Sequence, residues 1–433
     1  MHHLHTRDDK RFVVCIGSAG SALPFMLEEV REMKRNAFTV LVILLVCLIL
    51  PSCSKEDCGD DASIVIWHDK EDSVVAIIEE RLASLAPAIN VTFEKKSSLT
   101  ESLKLVGNDP KSAPDLYIFA HDKIGVYAEM GILSPITDFL TEEELACFMP
   151  HTIKAGTYKD EIYQMPLYFE TLLFMYNKKY MKEADIPKTT EELYDYMQRK
   201  TKYGHYGYVE QHSTPYYAAG WIHGFGTDLI GENGNPLLDT AEMVRALAYH
   251  EKFVELMPGE TEYATVNTLF SEGMAHSTLN GPWFVSTVKD KGIDVGIAPM
   301  PIVDVTGLPI APYLGVQGIH VVKTNAGKKH DAIVQVLKAL MDPEIEISLA
   351  LASGCAPAME KCYEDERIST NEIVMAMRDT AMKSVPMPNV PEMDVMWSVT
   401  GNLLTDINMR GNDPRESCAK AQKKAIELME AMK

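Results

Sequence analysis

Short apolar runs that alternate with helix-forming segments constrain the fold of this chain most strongly. The runs lie at 63–67, 90–94 and 115–120, and apolar residues at helical spacing occupy 73–85 and 99–106 between them. Continuous apolar strands separated by helices indicate a parallel sheet that is covered by helices on both faces. The pattern therefore predicts an α/β fold that begins near residue 62.

Charged residues follow two of these runs at the point where each ends. Asp69 and Lys70 come after the first run, and Asp122 and Lys123 come after the third. Ligand sites in open α/β sheets lie beyond the carboxyl ends of the strands. Asp69 and Lys70 fit such a site, and taken alone they also fit a solvated surface ion pair of small energetic value.

A second α/β region follows a long apolar segment at 164–181, which is too long for one strand of a small sheet. We expect this segment to run between two lobes. Strands are predicted near 206–210 and at 295–298, and a second crossing between the lobes at 315–322. Helical spacing in the tail predicts three more helices, at 371–382, 391–407 and 413–432.

The beginning of the chain has the features of an exported, lipid-anchored protein. Two basic residues precede an apolar run of 14 residues, which is shorter than the roughly 20 residues of a membrane span and has the layout of a signal peptide. An aliphatic residue three positions before Cys53 and a serine just before it are typical of bacterial lipidation sites. We predict that residues 1–52 contain the signal segment and that Met33 is the true start codon, so that the signal peptide proper begins there. Cys53 is predicted to be lipidated, and residues 53–61 are predicted to form a tether.

Charge and residue types exclude several classes of partner. Residues 53–433 hold 35 basic and 57 acidic residues, a net charge of -22, which argues against nucleic acids and other polyanions. The histidines and cysteines form no HExxH, CxxC or zinc-like cluster, so no metal or other cofactor is expected. Cys355 and Cys362 are near enough in sequence for a disulfide, and they fit buried free thiols equally well.

Several short motifs follow one another along nearly the whole chain after residue 62. They are Trp67 with Asp69-Lys70, Ala120-His121-Asp122-Lys123, Tyr176-Asn177-Lys178, Asn280-Gly281-Pro282-Trp283, the proline-spaced segment 386–391, and Trp397. In this order they resemble the maltose and maltodextrin-binding proteins of bacterial ABC importers. The resemblance implies a two-lobed periplasmic-binding-protein type II fold, with crossings between two α/β lobes near 169–172, 316–318 and 367–370.

By this resemblance, eight residues are expected to bind a sugar in a cleft between the lobes. Those expected to hydrogen-bond its hydroxyls are Asp69, Lys70, Asp122, Lys123 and Glu170, and those expected to stack on its rings are Tyr216, Trp283 and Trp397. Charged groups make the stronger hydrogen bonds. If the two sets belong to different lobes, only closure satisfies the sugar fully, so the ligand selects the closed state. Taken alone, Trp283 fits a buried core aromatic equally well.

The resemblance also predicts where the lobes begin and end. The first lobe is expected to comprise 62–169 with 318–368, and the second 170–317 with 369–433.

Four positions depart from the maltodextrin pattern. Thr100 and Thr214 stand where glutamates are expected, Phe119 where a tryptophan is expected, and Gly401 where an arginine is expected. These differences remove hydrogen bonds and one stacking face. Because of these differences, the expected ligand is some glucose-like saccharide and is not restricted to maltodextrins.

We therefore expect a monomeric lipoprotein, in the periplasm or on the cell surface, that captures maltose, a malto-oligosaccharide or a related sugar. It is expected to deliver the sugar to the membrane permease of an ABC importer and to have no enzymatic activity. One alternative is a sugar-sensing or chemoreceptor binding protein that uses the same closure. Another is a surface glycosidase that uses two of Asp69, Asp122 and Glu170, since that chemistry requires paired carboxylates.

Overall fold

The computed structural model describes residues 63–231, 233–259 and 262–432. The predicted signal segment over 1–52, the tether over 53–61 and the lipidation site Cys53 lie outside these ranges. Among the helices that are described, none has both the length and the apolar character needed to cross a membrane.

The described ranges contain thirteen strands and seventeen α-helices. The strands are β1 (Ser63–His68), β2 (Asn90–Lys95), β3 (Leu116–Ala120), β4 (Leu133–Ser134), β5 (Thr157–Tyr158), β6 (Glu161–Ile162), β7 (Met165–Glu170), β8 (Leu173–Asn177), β9 (Ser277–Asn280), β10 (Val295–Ala298), β11 (Tyr313–Val322), β12 (Ala356–Pro357) and β13 (Val385–Pro386). The helices are α1 (Asp72–Leu85), α2 (Leu99–Val106), α3 (Ile124–Glu129), α4 (Glu142–Leu145), α5 (Pro150–Ala155), α6 (Thr190–Lys200), α7 (Pro215–His223), α8 (Ala241–Val254), α9 (Tyr263–Ser271), α10 (Trp283–Asp290), α11 (Lys323–Ala326), α12 (His330–Leu340), α13 (Pro343–Ser353), α14 (Glu366–Ser369), α15 (Glu372–Ala381), α16 (Met393–Asn408) and α17 (Pro414–Glu430).

The larger sheet has the strand order β12-β7-β11-β3-β1-β2, and β4 and β13 also pair with β11. The prediction of parallel pairing is confirmed for β1 with β2 and for β1 with β3. The sequence made no prediction for the rest of the path, where β11 runs antiparallel to both β3 and β7. Strand β11 is buried along its full length, so it reads as an apolar run in either direction and the run does not reveal its orientation.

The smaller sheet contains β8 between β10 and β9, all antiparallel. The strand expected at 295–298 is confirmed as β10. The strand expected near 206–210 is wrong, since this segment makes only single bridges beside β9. Gly207 packs against the backbone of Met197 and donates its N–H to Thr201 Oγ1 at 3.2 Å, which interrupts a continuous ladder.

The three helices predicted in the tail are confirmed as α15, α16 and α17. Asn371 caps α15 by accepting hydrogen bonds from the N–H groups of Ile373 and Val374. Asp413 caps α17 in the same way and is followed by a proline in the first helical turn, where the missing N–H costs nothing.

Two apolar cores lie on the two sheets. Strands β1, β3 and β11 pack with α1, α12 and α13, and we call this body the large-sheet lobe. Helices α6, α7, α8, α16 and α17 pack around β8, and we call this body the small-sheet lobe. A third cluster joins Phe169, Val316 and Met377 to Leu173 and Phe284, so it spans the segments that connect the lobes. The predicted lobe boundaries and the positions of the crossings stay a prediction.

The open question about Cys355 and Cys362 is answered in favour of free thiols. Both side chains are buried and unpaired. Burial raises the pKa of each thiol well above its ordinary value, so both stay protonated.

Helix α7, which carries Tyr216, is held by a buried polar network behind it. Trp221 Nε1 donates to Glu210 Oε1 at 2.9 Å, and Glu210 Oε1 also lies 2.6 Å from His250 Nε2. The Trp221 indole stacks on the His250 ring at 4.7 Å between centroids. The network satisfies a fully buried carboxylate and fixes α7 against the core of the small-sheet lobe.

Candidate functional site

A cavity of about 240 Å³ lies where the two lobes face each other. Its walls are formed by Phe119, Ala120, Asp122, Glu170, Tyr216, Trp283, Gly315, Gln317, Met387 and Trp397. Five of the eight predicted sugar-binding residues are in this set. The structure therefore brings together two of the predicted carboxylates and all three predicted aromatic side chains.

Two larger hollows lie elsewhere on the small-sheet lobe. One of about 410 Å³ is lined by residues between Ile297 and Pro312 and by α15, and another of about 430 Å³ lies between α16 and α17. Neither combines aromatic faces with carboxylates. Sugar recognition needs both, so the cleft cavity is the candidate site.

The ends of strands supply the polar side of the cavity. Phe119 and Ala120 end β3, Asp122 follows in a short 3-10 turn, and Glu170 is the last residue of β7. Gly315 lies opposite Glu170 on β11. The carboxyl ends of β3 and β7 meet the same face of the cleft, as expected for a sheet-edge site.

Glu170 forms the acidic floor of the cavity together with Gln317. Gln317 Nε2 donates to Glu170 Oε1 at 2.8 Å. Burial raises the pKa of Glu170, against the opposing effects of the Lys70 charge and the Gln317 hydrogen bond. The sequence analysis did not identify Gln317 as a site residue. The alternation of side chains along β11 could have identified it, because this two-residue period places Gln317 on the same face as Gly315.

Asp69 and Lys70 lie beside the cavity and are not part of its wall. Lys70 Nζ is 2.8 Å from Asp69 Oδ1 and 5.4 Å from the centre of the Phe119 ring. That both bind a sugar stays a prediction. The charge of Lys70 acts on the cavity, because it lowers the pKa of Glu170 against the effect of burial.

Lys123 is not among the residues that line the cavity, and its role as a sugar ligand stays a prediction. Its Nζ lies 2.5 Å from Asp394 Oδ1 and 3.5 Å from Asp122 Oδ2. Lys104 Nζ, on α2, lies 2.5 Å from the other oxygen of Asp394. Burial opposes the charged form of Asp394, but the hydrogen bonds from the two lysines outweigh it and lower its pKa. Because Asp394 lies in the first turn of α16, this cluster ties the large-sheet lobe to the small-sheet lobe.

Trp397 and Trp283 form the aromatic side. Trp397 Nε1 donates to Asp122 Oδ2 at 3.3 Å, and its ring meets Tyr313 edge to face at 5.8 Å. The Trp283 ring lies over Gly281, where an added Cβ would approach the indole to about 2.1 Å. Only glycine leaves room for this indole orientation, which explains why glycine stands two residues before the tryptophan.

Tyr216 adds a hydroxyl to the aromatic side. It lies in the first turn of α7, next to Pro215. Burial, and then the negative charge of Glu170, raises its pKa well above the ordinary value. The hydroxyl therefore stays protonated at any physiological pH and is available as a hydrogen-bond donor.

His121 links three segments behind the cavity. Its Nδ1 accepts a hydrogen bond from the N–H of Val316 at 3.1 Å, and its Nε2 lies 2.9 Å from Met387 O, to which it donates. Burial lowers the pKa of this imidazole, so it remains neutral. His121 thus positions β11 and Met387 at the cavity; the sequence motif contained it without indicating this role.

The four departures from the maltodextrin pattern lie in different surroundings. Phe119 lines the cavity and retains an aromatic face there. Thr214 precedes α7 without capping it through its side chain. A Cβ added at Gly401 would meet only Pro215, at 3.8 Å, and Thr100 accepts a hydrogen bond from Tyr127 through its backbone carbonyl.

Within the residues described, no group of three or more His, Cys, Asp or Glu side chains is arranged to hold a metal ion. The residues that line the cleft combine hydrogen-bonding groups with aromatic faces.

Comparison with known proteins places the chain in a wider group. The family model described as bacterial extracellular solute-binding protein matches residues 86–376. The maltotriose-binding protein of Pyrococcus abyssi (strain GE5 / Orsay) is 30% identical over 364 residues, which span 81% of this chain and 78% of that protein. The galactooligosaccharide-binding protein of Bacillus subtilis (strain 168) is 25% identical over 419 residues, which span 91% and 97%.

A solved structure has the same fold. The maltose/maltodextrin-binding domain MalE from Bdellovibrio bacteriovorus bound to maltotriose matches with a TM-score of 0.76 at 24% identity, covering 85% of this chain and 100% of that chain. This likeness confirms the predicted two-lobed periplasmic-binding-protein type II fold.

Proposed function

The chain belongs to the bacterial extracellular solute-binding proteins, and we propose that it captures a neutral malto-oligosaccharide or related oligosaccharide and delivers it to an ABC importer. The observation that carries this proposal is the make-up of the cleft cavity. Carboxylates and an amide face it from the large-sheet lobe, and three aromatic rings face it from the small-sheet lobe. Hydroxyls and flat C–H faces of a sugar need these two kinds of partner at once.

Charge favours a neutral ligand. Asp122 and Glu170 line the cavity, while Lys70 and Lys123 are paired with Asp69 and Asp394 and do not line it. An anionic sugar would meet like charge without a free cation to balance it, which is costly in a partly desolvated site.

Closure follows from the division of the site between the lobes. A sugar that contacts only one lobe lacks either the hydrogen bonds or the stacking contacts that the other lobe provides. The closed arrangement therefore binds the sugar more tightly. Ligand binding then shifts the population toward closure. The closed form is what a membrane permease would recognise, and a sensor would read the same change.

The arrangement of the carboxylates supports binding over glycoside hydrolysis. Asp69 is paired with Lys70 outside the cavity, and Asp122 accepts a hydrogen bond from Trp397 and faces Lys123. Glycosidases place two carboxyl groups on either side of the scissile bond. The two carboxyl groups that line this cavity are each engaged by a protein side chain, Asp122 by Trp397 and Glu170 by Gln317, which supports a role in binding.

Titration calorimetry on the full-length protein tests the proposal. We expect one sugar per protein with maltotriose, and weaker or no heat with glucose 6-phosphate and glucuronic acid. A panel that adds maltose, longer maltodextrins and β-galactosides establishes the chain length and the linkage. Absence of heat with every neutral oligosaccharide would reject a carbohydrate ligand.

We further propose that acyl chains on Cys53 anchor the protein, because two or more chains give stable membrane binding. In an expressing bacterium, Cys53→Ala is expected to abolish incorporation of radiolabelled palmitate and to release the protein into the aqueous phase of a detergent partition. Cys58→Ala, five residues later, is the control and should remain labelled. Label retained by Cys53→Ala would contradict the anchor site.

The ion-pair cluster at Asp394 is expected to favour the closed arrangement. Asp394→Asn leaves Lys104 and Lys123 without their shared carboxylate, so we expect maltotriose affinity to fall about fivefold, or about 1 kcal/mol, since the group is partly screened by water. Small-angle scattering of the sugar-free variant should give a larger radius of gyration. Asp72→Asn removes an exposed ion pair with Lys95 within the large-sheet lobe and should change neither quantity. An unchanged affinity and radius in Asp394→Asn would show that the cluster does not act on closure.

A further inference from the structure

An unpaired amide oxygen lies at the floor of the cleft. Gln317 is buried, its Nε2 donates to Glu170 Oε1 at 2.8 Å, and its Oε1 has no hydrogen-bond partner in the described structure. Because the NH₂ group donates to Glu170, the amide oxygen faces away from that carboxyl group. A buried carbonyl oxygen without a donor is costly, and because Gln317 lines the cavity, a hydroxyl of a bound ligand would supply the missing donor.

The backbone of β11 directs this side chain toward the cavity. The register between β11 and β7 shifts between Gln317 and Gly318, and a bulge of this kind re-aims a side chain. On the same face, Gly315 contributes no side chain. A Cβ added there would lie 3.9 Å from Glu170 Cγ and 3.4 Å from Met387 Cε, so glycine keeps the space beside Glu170 open.

The chemistry of the pair is that of an acceptor. Gln317 offers Oε1, and the Glu170 carboxylate offers only lone pairs. Such a pair binds hydroxyl groups that donate hydrogen bonds. It disfavours groups that have only acceptor atoms or that carry a negative charge. A sugar hydroxyl can donate to one oxygen and accept elsewhere, from Tyr216 for example.

We propose that Gln317 determines specificity: its Nε2 holds Glu170 in place while its Oε1 accepts a hydrogen bond from one hydroxyl of the bound sugar. This inference rests on the proposed function and adds to it a recognition group on the strand that connects the lobes. Because β11 pairs with β3 and β7 at this point, the contact joins the bound sugar to the strand that is predicted to cross between the lobes.

Two substitutions and one matched control test this role by calorimetry with maltotriose. Gln317→Met keeps the length of the side chain and removes both polar groups, and we expect about a tenfold loss of affinity. Gln317→Glu cannot donate to Glu170 and adds a second negative charge beside it, so its loss should be larger at pH 7.5. Gln422→Met is the control, since Gln422 also donates a hydrogen bond through its Nε2, to Pro236 O at 2.8 Å, but does not line the cavity. Its affinity should be unchanged.

A panel of monodeoxymaltoses identifies the hydroxyl. The analogue that lacks it should bind the wild type more weakly than maltose does, and should lose nothing further with Gln317→Met, as a double-mutant cycle requires for a direct contact. Circular dichroism and thermal melting confirm that each variant is folded.

The outcomes separate the two proposals. If the wild type binds no neutral sugar, the proposed function is wrong and this subsite falls with it. If the wild type binds maltotriose and folded Gln317→Met binds it equally well, the subsite alone is wrong. If all deoxy analogues show the same loss in wild type and variant, Gln317 acts on the protein and makes no direct contact.

Discussion

Replacing Trp283 with alanine is expected to weaken maltotriose binding by roughly 30- to 1000-fold, a loss of about 2–4 kcal/mol. The indole lines the cavity from the first residue of α10, opposite the carboxylates of the large-sheet lobe. Central aromatic side chains that exclude water give the largest losses when truncated, because their apolar faces have no substitute among the surrounding groups.

The loss of maltotriose affinity in Trp283→Ala can be distinguished from a loss of folding. Trp283 packs against the core of the small-sheet lobe and against the third cluster, so the melting temperature must be measured together with calorimetry. Trp283→Phe keeps part of the aromatic face and should retain part of the affinity. Tyr203→Ala deletes an aromatic ring that is 97% exposed and should change nothing. Full affinity in a folded Trp283→Ala protein would contradict the stacking role.

Glu346 is expected to make stability fall as the pH rises. Its carboxyl group is completely buried in α13; Oε2 accepts from the N–H of Met359 at 2.7 Å, and Oε1 has no partner among the described residues. Burial raises its pKa from 4.5 to about 8, against the hydrogen bonds from the backbone. The folded protein therefore keeps a proton that the unfolded chain releases near pH 4.5.

The sign of the effect follows from proton linkage. Between pH 4.5 and about 8 the folded state binds more protons than the unfolded state, so the free energy of unfolding decreases with pH across this window. The stabilising contribution is fully present below pH 4.5 and is lost above pH 8. The full difference corresponds to about 5 kcal/mol.

Glu346→Gln cannot ionise and should remove this dependence. At pH 5 we expect the free energy of unfolding of this variant, measured by urea denaturation, to equal that of the wild type or to lie slightly below it. At pH 9 we expect it to exceed the wild-type value by about 3–5 kcal/mol. Glu344→Gln is the control on the same helix: Arg367 lowers the pKa of Glu344 despite some burial, so its contribution is lost as the pH falls. Parallel pH profiles for wild type and Glu346→Gln would contradict the assignment.

Much of the fold was predictable because its signals are local. The period of apolar residues distinguishes strands from helices, as at 63–67 and 73–85, and capping residues such as Asp413 mark where helices begin. The predicted strand at 206–210 failed because an interruption at Gly207 depends on Met197, which packs against it only in the folded protein.

The site was predictable to the extent that strand ends and short motifs reveal it. Asp122, Glu170, Tyr216, Trp283 and Trp397 meet in one cavity because each stands at the end of a strand or near the start of a helix that faces the cleft. The resemblance to known sugar-binding proteins selected these positions from many charged and aromatic residues.

The sequence by itself therefore determined the order of most strands and helices, the two-lobed class of fold and five of the ten residues that line the cleft cavity. Only the tertiary structure decided which polar groups are paired, since Lys123 meets Asp394 and Gln317 meets Glu170 across 271 and 147 residues of chain. It also decided that Glu346 is buried without a counter-charge. Periodicity and capping act over a few residues, whereas hydrogen-bond partners and burial are set when distant segments pack together.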